Sequence, residues 1–231
     1  MTDWAQWNLP DSDICSAAMK LAIDVSPAFI ANHCVRSYLF GRELAAADGQ
    51  RAGVDYDDEL VFLSCLLHDL GVTAHGGGDQ RFEVDGADAA ARFLREHGTG
   101  EVSVQTVWQT IALHTSAGLA HRFGPVQALS QRGIVLDING FDKHRVSAGF
   151  AERVHDTWPR HDLGYAIAEA IARDAQVNPT KAPPLSFPAH LNQLINDAPA
   201  PTFLDLVANS GWGDQPPQSR IVANRSGSVS T

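Results

Sequence analysis

Leu66-Leu67-His68-Asp69-Leu70-Gly71 sets an imidazole beside a carboxylate at the end of an apolar run. Both groups are costly in an apolar setting unless they pair with each other or coordinate something. Three further residues extend the pattern. His33 lies on a stripe of Phe29, His33, Ser37, Phe40 and Leu44, spaced like the inner face of a helix. Asp137 follows the apolar run Ile134-Val135-Leu136, and His114 adjoins the stripe Val104, Trp108, Ile111 and Thr115. His33, His68, Asp69 and Asp137 form a candidate ligand set: two imidazoles and two carboxylates, presented by separate segments. One divalent ion held this way makes bound water far more acidic, with a pKa of about 7 in good cases. These donors suit zinc, iron, manganese, cobalt or nickel, and composition alone does not choose among them; zinc is the working expectation. Cys65 lies three residues before His68 but reads as a small buried hydrophobe.

The elements that must position these residues read as helices. Asp11 or Ser12 caps a helix with Ile14, Ala18, Leu21 and Ala22 on one side, and Pro27 opens a second helix in its first turn. Asp57 or Asp58 caps the helix that ends at His68-Asp69, with Gly71 as its C′ glycine. Further helices are expected over 87–97, 102–116, 144–157, 162–174, 189–195 and 202–210. The stretch 118–133 reads as a loop with a short helix around Val126–Leu129. The segment 134–140 is expected to be helical or irregular and to deliver Asp137 inward. Trp4 and Trp7 lie on an N-terminal arm expected to pack on the body. With no run of alternating strands, the fold class is all-α: a helical bundle with a buried metal site, occupying residues 1–211 as one domain. The composition turns to Gln, Pro, Ser, Gly and Asn toward the C-terminus, and 212–231 is expected to be a disordered tail.

Composition narrows the function. The chain has 231 residues, 44% hydrophobic and 19% charged, with 27 acidic against 17 basic residues and a formal net charge of −10. That balance argues against sequence-independent binding to nucleic acid or to an anionic membrane surface. No apolar stretch reaches the roughly 18 residues of a membrane span. Cys15, Cys34 and Cys65 are odd in number and lack a CxxC, which fits buried free thiols in a reducing, cytoplasmic setting. The expected partner is a small molecule; the oligomeric state is left open.

Five blocks taken together resemble the HD-domain superfamily, and within it the cyanamide hydratase-like branch. They are Asn32-His33-Cys34-Val35-Arg36-Ser37-Tyr38, Leu66–Gly71, Arg81-Phe82-Glu83-Val84-Asp85-Gly86-Ala87, Ile111-Ala112-Leu113-His114-Thr115-Ser116 and Val135-Leu136-Asp137-Ile138-Asn139-Gly140. The resemblance implies an HD-type helical core in which His33, His68, Asp69 and Asp137 ligate the metal. It gives Glu83 and His114 catalytic roles. Glu83 would manage the proton of the attacking water with a pKa tuned upward; His114 would orient substrate, donate a proton or bind a second metal. Thr115, Ser116 and Arg36 are candidate substrate contacts, with Arg36 one turn beyond His33 and in reach of Asp69 or Glu83.

The expected activity is metal-dependent addition of water to a small carbon–nitrogen multiple bond, as in cyanamide or a nitrile. The alternative is HD-type phosphohydrolysis of a nucleotide or phosphomonoester. Many HD phosphohydrolases resemble one another in a Lys shortly after the glycine that follows the His-Asp pair; here Gly71 leads into Val72-Thr73-Ala74. A dinuclear iron oxygenase would need two further histidines on a second metal, with His114 as one and only Glu83 or His97 as substitutes for the other. A metal-stabilised, non-enzymatic module is the remaining class. His121, His144, His155, His161 and His190 read as structural or solvated.

Overall fold

Two glycine-lined helix contacts set the geometry of the molecule. A computed structural model describes residues 4–216. Of the terminal expectations, the packing of the Trp4 side chain and the tail beyond 216 lie outside the described residues. Among the described residues there are ten α-helices and no strand beyond an isolated Ala52–Tyr56 bridge. They are α1 (Asp13–Val25), α2 (Ala28–Ala47), α3 (Asp58–Leu67), α4 (Phe82–Glu96), α5 (Glu101–Leu113), α6 (Pro125–Asn139), α7 (Phe150–Thr157), α8 (Leu163–Val177), α9 (Phe187–Asn196) and α10 (Phe203–Ala208). None is long and apolar enough to cross a membrane.

Several helix ends fall where the sequence places them. Ser12 caps α1 by accepting from Cys15 N, and Asp57 caps α3 by accepting from Leu60 N. Pro27 is the N-cap of α2 and stands just outside the first turn. The expected loop and irregular segment over 118–140 are instead largely one helix, α6, which opens on Pro125 and closes on left-handed Gly140. Gly133 looks like a breaker in sequence, yet it serves the packing of α6 against α2. A Cβ there would stand 2.0 Å from Ser37 O and 2.7 Å from Gly41 N. A Cβ on Gly41 would in turn stand 2.8 Å from Leu129 O. Only glycine lets the two backbones come this close. One turn along each helix from the Ser37–Gly133 contact, His33 meets Asp137.

The second contact joins the end of α3 to α4. Gly71 is not the left-handed C′ residue that the sequence suggests. It is buried in a 3-10 turn, Leu70–Val72, and a Cβ on it would stand 2.0 Å from Phe82 O and 2.7 Å from Gly86 N. Its glycine identity answers to close backbone approach. α4 accordingly starts at Phe82, five residues before the expected Ala87, and carries Glu83 on its first turn. α7 starts at Phe150, later than the expected His144, after a 3-10 turn over Lys143–Arg145.

The main core is built from α1–α7 side chains and closed by Trp7, whose ring centroid lies 5.9 Å from that of Phe150 and 5.3 Å from that of Trp158. A second apolar cluster joins Phe82 to Leu163, Ile167, Ile171 and Leu191. It fastens α8 and α9 to the start of α4. All three cysteines are free and buried.

Candidate metal centre

Three imidazoles surround one carboxylate at the heart of the bundle. α2 supplies His33, the end of α3 supplies His68 and Asp69, and the end of α5 supplies His114. All four are buried, Asp69 to 1% exposure. His33, His68 and Asp69 each offer a ligand atom within 4.8 Å of the others. His68 Nε2 lies 3.1 Å from His33 Nε2 and 3.2 Å from Asp69 Oδ2, and His33 Nε2 lies 3.7 Å from the same oxygen. His114 Nε2 lies 3.9 Å from Asp69 Oδ1. Its ring is edge-on to that of His68, centroid to centroid 5.0 Å.

The opposite nitrogens fix which atom faces the centre. His68 Nδ1 is 2.8 Å from Cys65 O, and His114 Nδ1 is 2.6 Å from Ile111 O. His33 Nδ1 is 2.7 Å from Asp137 Oδ2. A carbonyl or an ionised carboxylate only accepts, so each Nδ1 carries the proton and each neutral ring turns a lone pair inward. The centre therefore gathers acceptors: three Nε2 atoms and the Asp69 carboxylate, whose buried Oδ2 has no hydrogen-bond donor. A knot of facing lone pairs is unfavourable unless a cation sits among them. Imidazole and carboxylate donors with pinned outer nitrogens are a fitting set for a divalent metal.

Electrostatics point the same way. Burial lowers His33 below its ordinary pKa. Burial also opposes charge on His68, but the adjacent Asp69 prevails and raises it well above the ordinary value. Burial would raise Asp69; His68 first, then His33 and His114, bring it below the usual carboxylate range. Burial, reinforced by His68, lowers His114 to about 4, so it is neutral at pH 7.

Asp137 occupies a different place from Asp69. It lies behind His33, on the Nδ1 side, inside a cage of guanidinium groups. Arg36 donates to it from Nε at 2.9 and 3.1 Å and from Nη2 at 2.8 Å; Arg160 donates to Oδ1 at 2.8 Å and to the Asp137 carbonyl at 2.7 Å. His155 Nε2, read from sequence as structural or solvated, stands 3.9 Å from Oδ1. Burial would raise Asp137, but His155, His33 and Arg36 hold it well below the usual range.

Arg36, expected among the substrate contacts, is fully buried. Its donors go to Asp137 and to the carbonyls of Trp158 and Pro159, at 3.0 and 3.1 Å. Its sequence spacing from His33 was legible. Its partner was not, because the Trp158–Asp162 corner that supplies Arg160 and the carbonyls is over 120 residues away in the chain.

Glu83 is buried and faces the turn after α5. Thr115 Oγ1 donates to Glu83 Oε1 at 2.6 Å, and Arg81 donates from Nη2 to Oε1 at 2.6 Å and from Nε to Oε2 at 3.1 Å. Burial would raise its pKa, but these two donors prevail and lower it. The expected upward tuning of Glu83 is thereby reversed. Ser116 contributes backbone: its N–H donates to Leu113 O at 2.8 Å, and its carbonyl accepts from Gln131 at 2.9 Å. His97 ends α4 with Nδ1 2.8 Å from Phe93 O, and His75 is exposed. A surface groove of about 770 Å3, lined by Asn8, Asp11, Cys15, Met19 and Phe62 among others, contains none of the candidate residues.

Fold and site together define an all-helical protein with a buried histidine–carboxylate centre suited to a divalent cation. Residues 30–138 match the family model of the HD domain. That segment contains His33, His68, Asp69, His114 and Asp137, and the match supports the HD-domain superfamily, whose members are generally metal-dependent hydrolases. No curated protein matches the chain.

Proposed function

We propose that the protein is a metal-dependent hydratase acting on a small, uncharged carbon–nitrogen multiple bond, with a cyanamide-like or nitrile-like substrate. His33, His68 and Asp69 would hold the ion. A divalent cation in such a site supplies Lewis acidity and water that ionises near neutral pH. Glu83, kept ionised by Arg81 and Thr115, accepts rather than donates, so it suits orienting an N–H or O–H of the reacting pair. Hydration of cyanamide adds water's oxygen to carbon and its two hydrogens to nitrogen, giving urea with no external oxidant or reductant. The resemblance of the five sequence blocks to the cyanamide hydratase-like branch supports this substrate class.

The observation that carries the choice is that cationic side chains are already tied to carboxylates of the chain. Arg36 and Arg160 are bound to Asp137, Arg81 to Glu83, and Lys181 to Asp174 and Asp85, the last at 3.5 Å. A phosphoryl substrate wants such donors for itself. Thr73, near where many HD phosphohydrolases resemble one another in a lysine, donates its hydroxyl to Leu70 O at 2.7 Å. A neutral, linear substrate requires no charge partner. The test is metal analysis of the purified protein with a panel of cyanamide, simple nitriles and p-nitrophenyl phosphate. Urea or amide formation is expected, without phosphoester cleavage. Metal-dependent phosphoester cleavage with no hydration would establish the phosphohydrolase reading instead, and metal binding with neither activity would favour a structural module.

A further inference from the structure

We infer that the ion's fourth protein ligand is His114, and that Asp137 acts from behind as the positioning residue for His33. This rests on the metal reading above and specifies the site further. Asp137 stands in the motif position of a distal ligand, but its surroundings suit another task. Its Oδ2 accepts from His33 Nδ1, from Arg36 Nη2 and from Arg36 Nε; its Oδ1 accepts from Arg36 Nε and Arg160 Nη1. Both oxygens are thus engaged by cationic or imidazole donors. Nδ1 and Nε2 lie on different edges of the imidazole ring, so a carboxylate hydrogen-bonded to Nδ1 is directed away from an ion at Nε2.

His114 has the opposite environment. Its Nδ1–H is tied to Ile111 O, and its Nε2 looks at Asp69 Oδ1 across 3.9 Å. Two acceptors facing each other at that separation leave room for something positive between them. The three histidines use the same device, an Nδ1 donor tied to a fixed acceptor, and turn Nε2 toward the same carboxylate. His33 differs only in having a carboxylate as its acceptor, which makes it the most basic donor of the three when neutral.

Zinc-loaded protein provides the test. In crystals of the wild-type protein, the anomalous zinc peak is expected at bonding distance, about 2.0–2.1 Å, from Nε2 of His33, His68 and His114, with Asp137 outside that range. Zinc affinity, measured by competition with a chromophoric chelator, is expected to fall about 10- to 100-fold in Asp137→Asn, the usual effect of removing a ligand's outer partner. It should fall further in His114→Ala. Circular dichroism on both variants separates lost affinity from lost folding, and the wild-type crystal decides the assignment even where a variant fails to fold. Zinc bonded to Asp137 and not to His114 overturns this inference while leaving the metal reading intact. Unchanged affinity in folded His114→Ala does the same. A wild-type protein that binds no zinc at all overturns both.

Discussion

Replacing Gly133 by alanine tests whether the approach of α2 to α6 builds the site. By helix propensity alone the change should stabilise α6 by up to about 1 kcal/mol, because glycine is the poorer helix former. The structure predicts the reverse. The new Cβ would stand 2.0 Å from Ser37 O and 2.7 Å from Gly41 N, both backbone atoms that no rotamer change can move. Restoring ordinary contact requires the helices to part by more than about 1 Å, and overpacking of this kind costs about 1–3 kcal/mol. At about 2–4 °C per kcal/mol for a chain of this size, the midpoint should fall by about 2–12 °C. The same parting lengthens the 2.7 Å His33–Asp137 contact one turn away, so metal affinity should drop along with stability. Gly164→Ala is the control. That glycine also lies in a helix, has no positive φ, and has no atom within 4 Å of the added methyl. There alanine should stabilise by about 0.4–1 kcal/mol. Thermal unfolding followed by circular dichroism, with zinc content measured beside it, reads both variants. Gly133→Ala unfolding at or above the wild-type midpoint would refute the close-approach reasoning.

Other outcomes follow from the same geometry. His68→Ala should purify with little bound metal and no hydratase activity; full metal content in that variant would count against the centre. Chelation of the ion should lower the midpoint, since an ion present at 100 times its Kd stabilises by about 2.7 kcal/mol, and readdition should restore it. Burial pushes the Cys15 thiol up to about 12 and raises Cys34 and Cys65 as well. Thiol titration at pH 8 should therefore find almost no reactive group in the native protein and three in denaturant. Glu83 has a folded-state pKa below its ordinary value. Its contribution to stability is present above that ordinary value, 4.5, and is lost as pH falls through the depressed one. The stability gap between wild type and Glu83→Gln should thus narrow on acidification from pH 6 to pH 3, and a gap that widened would reverse the assigned sign.

Much of the fold was legible because local signals and burial agreed. Ser12 and Asp57 announced their helices, and the stripe from Phe29 to Leu44 put His33 inside before any neighbour was known. The His68-Asp69 pair was found by its apolar approach. What stayed hidden was the meaning of the glycines. Gly71, Gly86, Gly41 and Gly133 look like punctuation in a single chain, and their cause lies on partner helices: Phe82 O for Gly71, Ser37 O for Gly133. The sequence-based expectation divided α6 at Gly133, into a loop over 118–133 and a separate segment over 134–140. Glu83 was named from the sequence as a candidate, but the sign of its pKa shift depends on how Arg81 folds back onto it and on Thr115, 32 residues on.

Asp69 and Asp137 show why residue type alone does not assign ligands. Each is a buried carboxylate that closes on a histidine, and each matches a motif position. Their neighbours differ in charge. Asp69 faces the Nε2 edges of three imidazoles, atoms that can serve as ligands to an ion. Asp137 faces Arg36 and Arg160, whose guanidinium groups already donate to it. Two unit charges 4 Å apart interact by about 4 kcal/mol at an effective dielectric of 20, so a dication at that distance from one guanidinium meets about 8 kcal/mol of repulsion. An ion bonded to Asp137 Oδ2 would share that oxygen with Arg36 Nη2, already 2.8 Å away. The favourable division of labour puts the dication beside Asp69 and leaves Asp137 to balance the arginines, with His33 passing the influence of one carboxylate to the other.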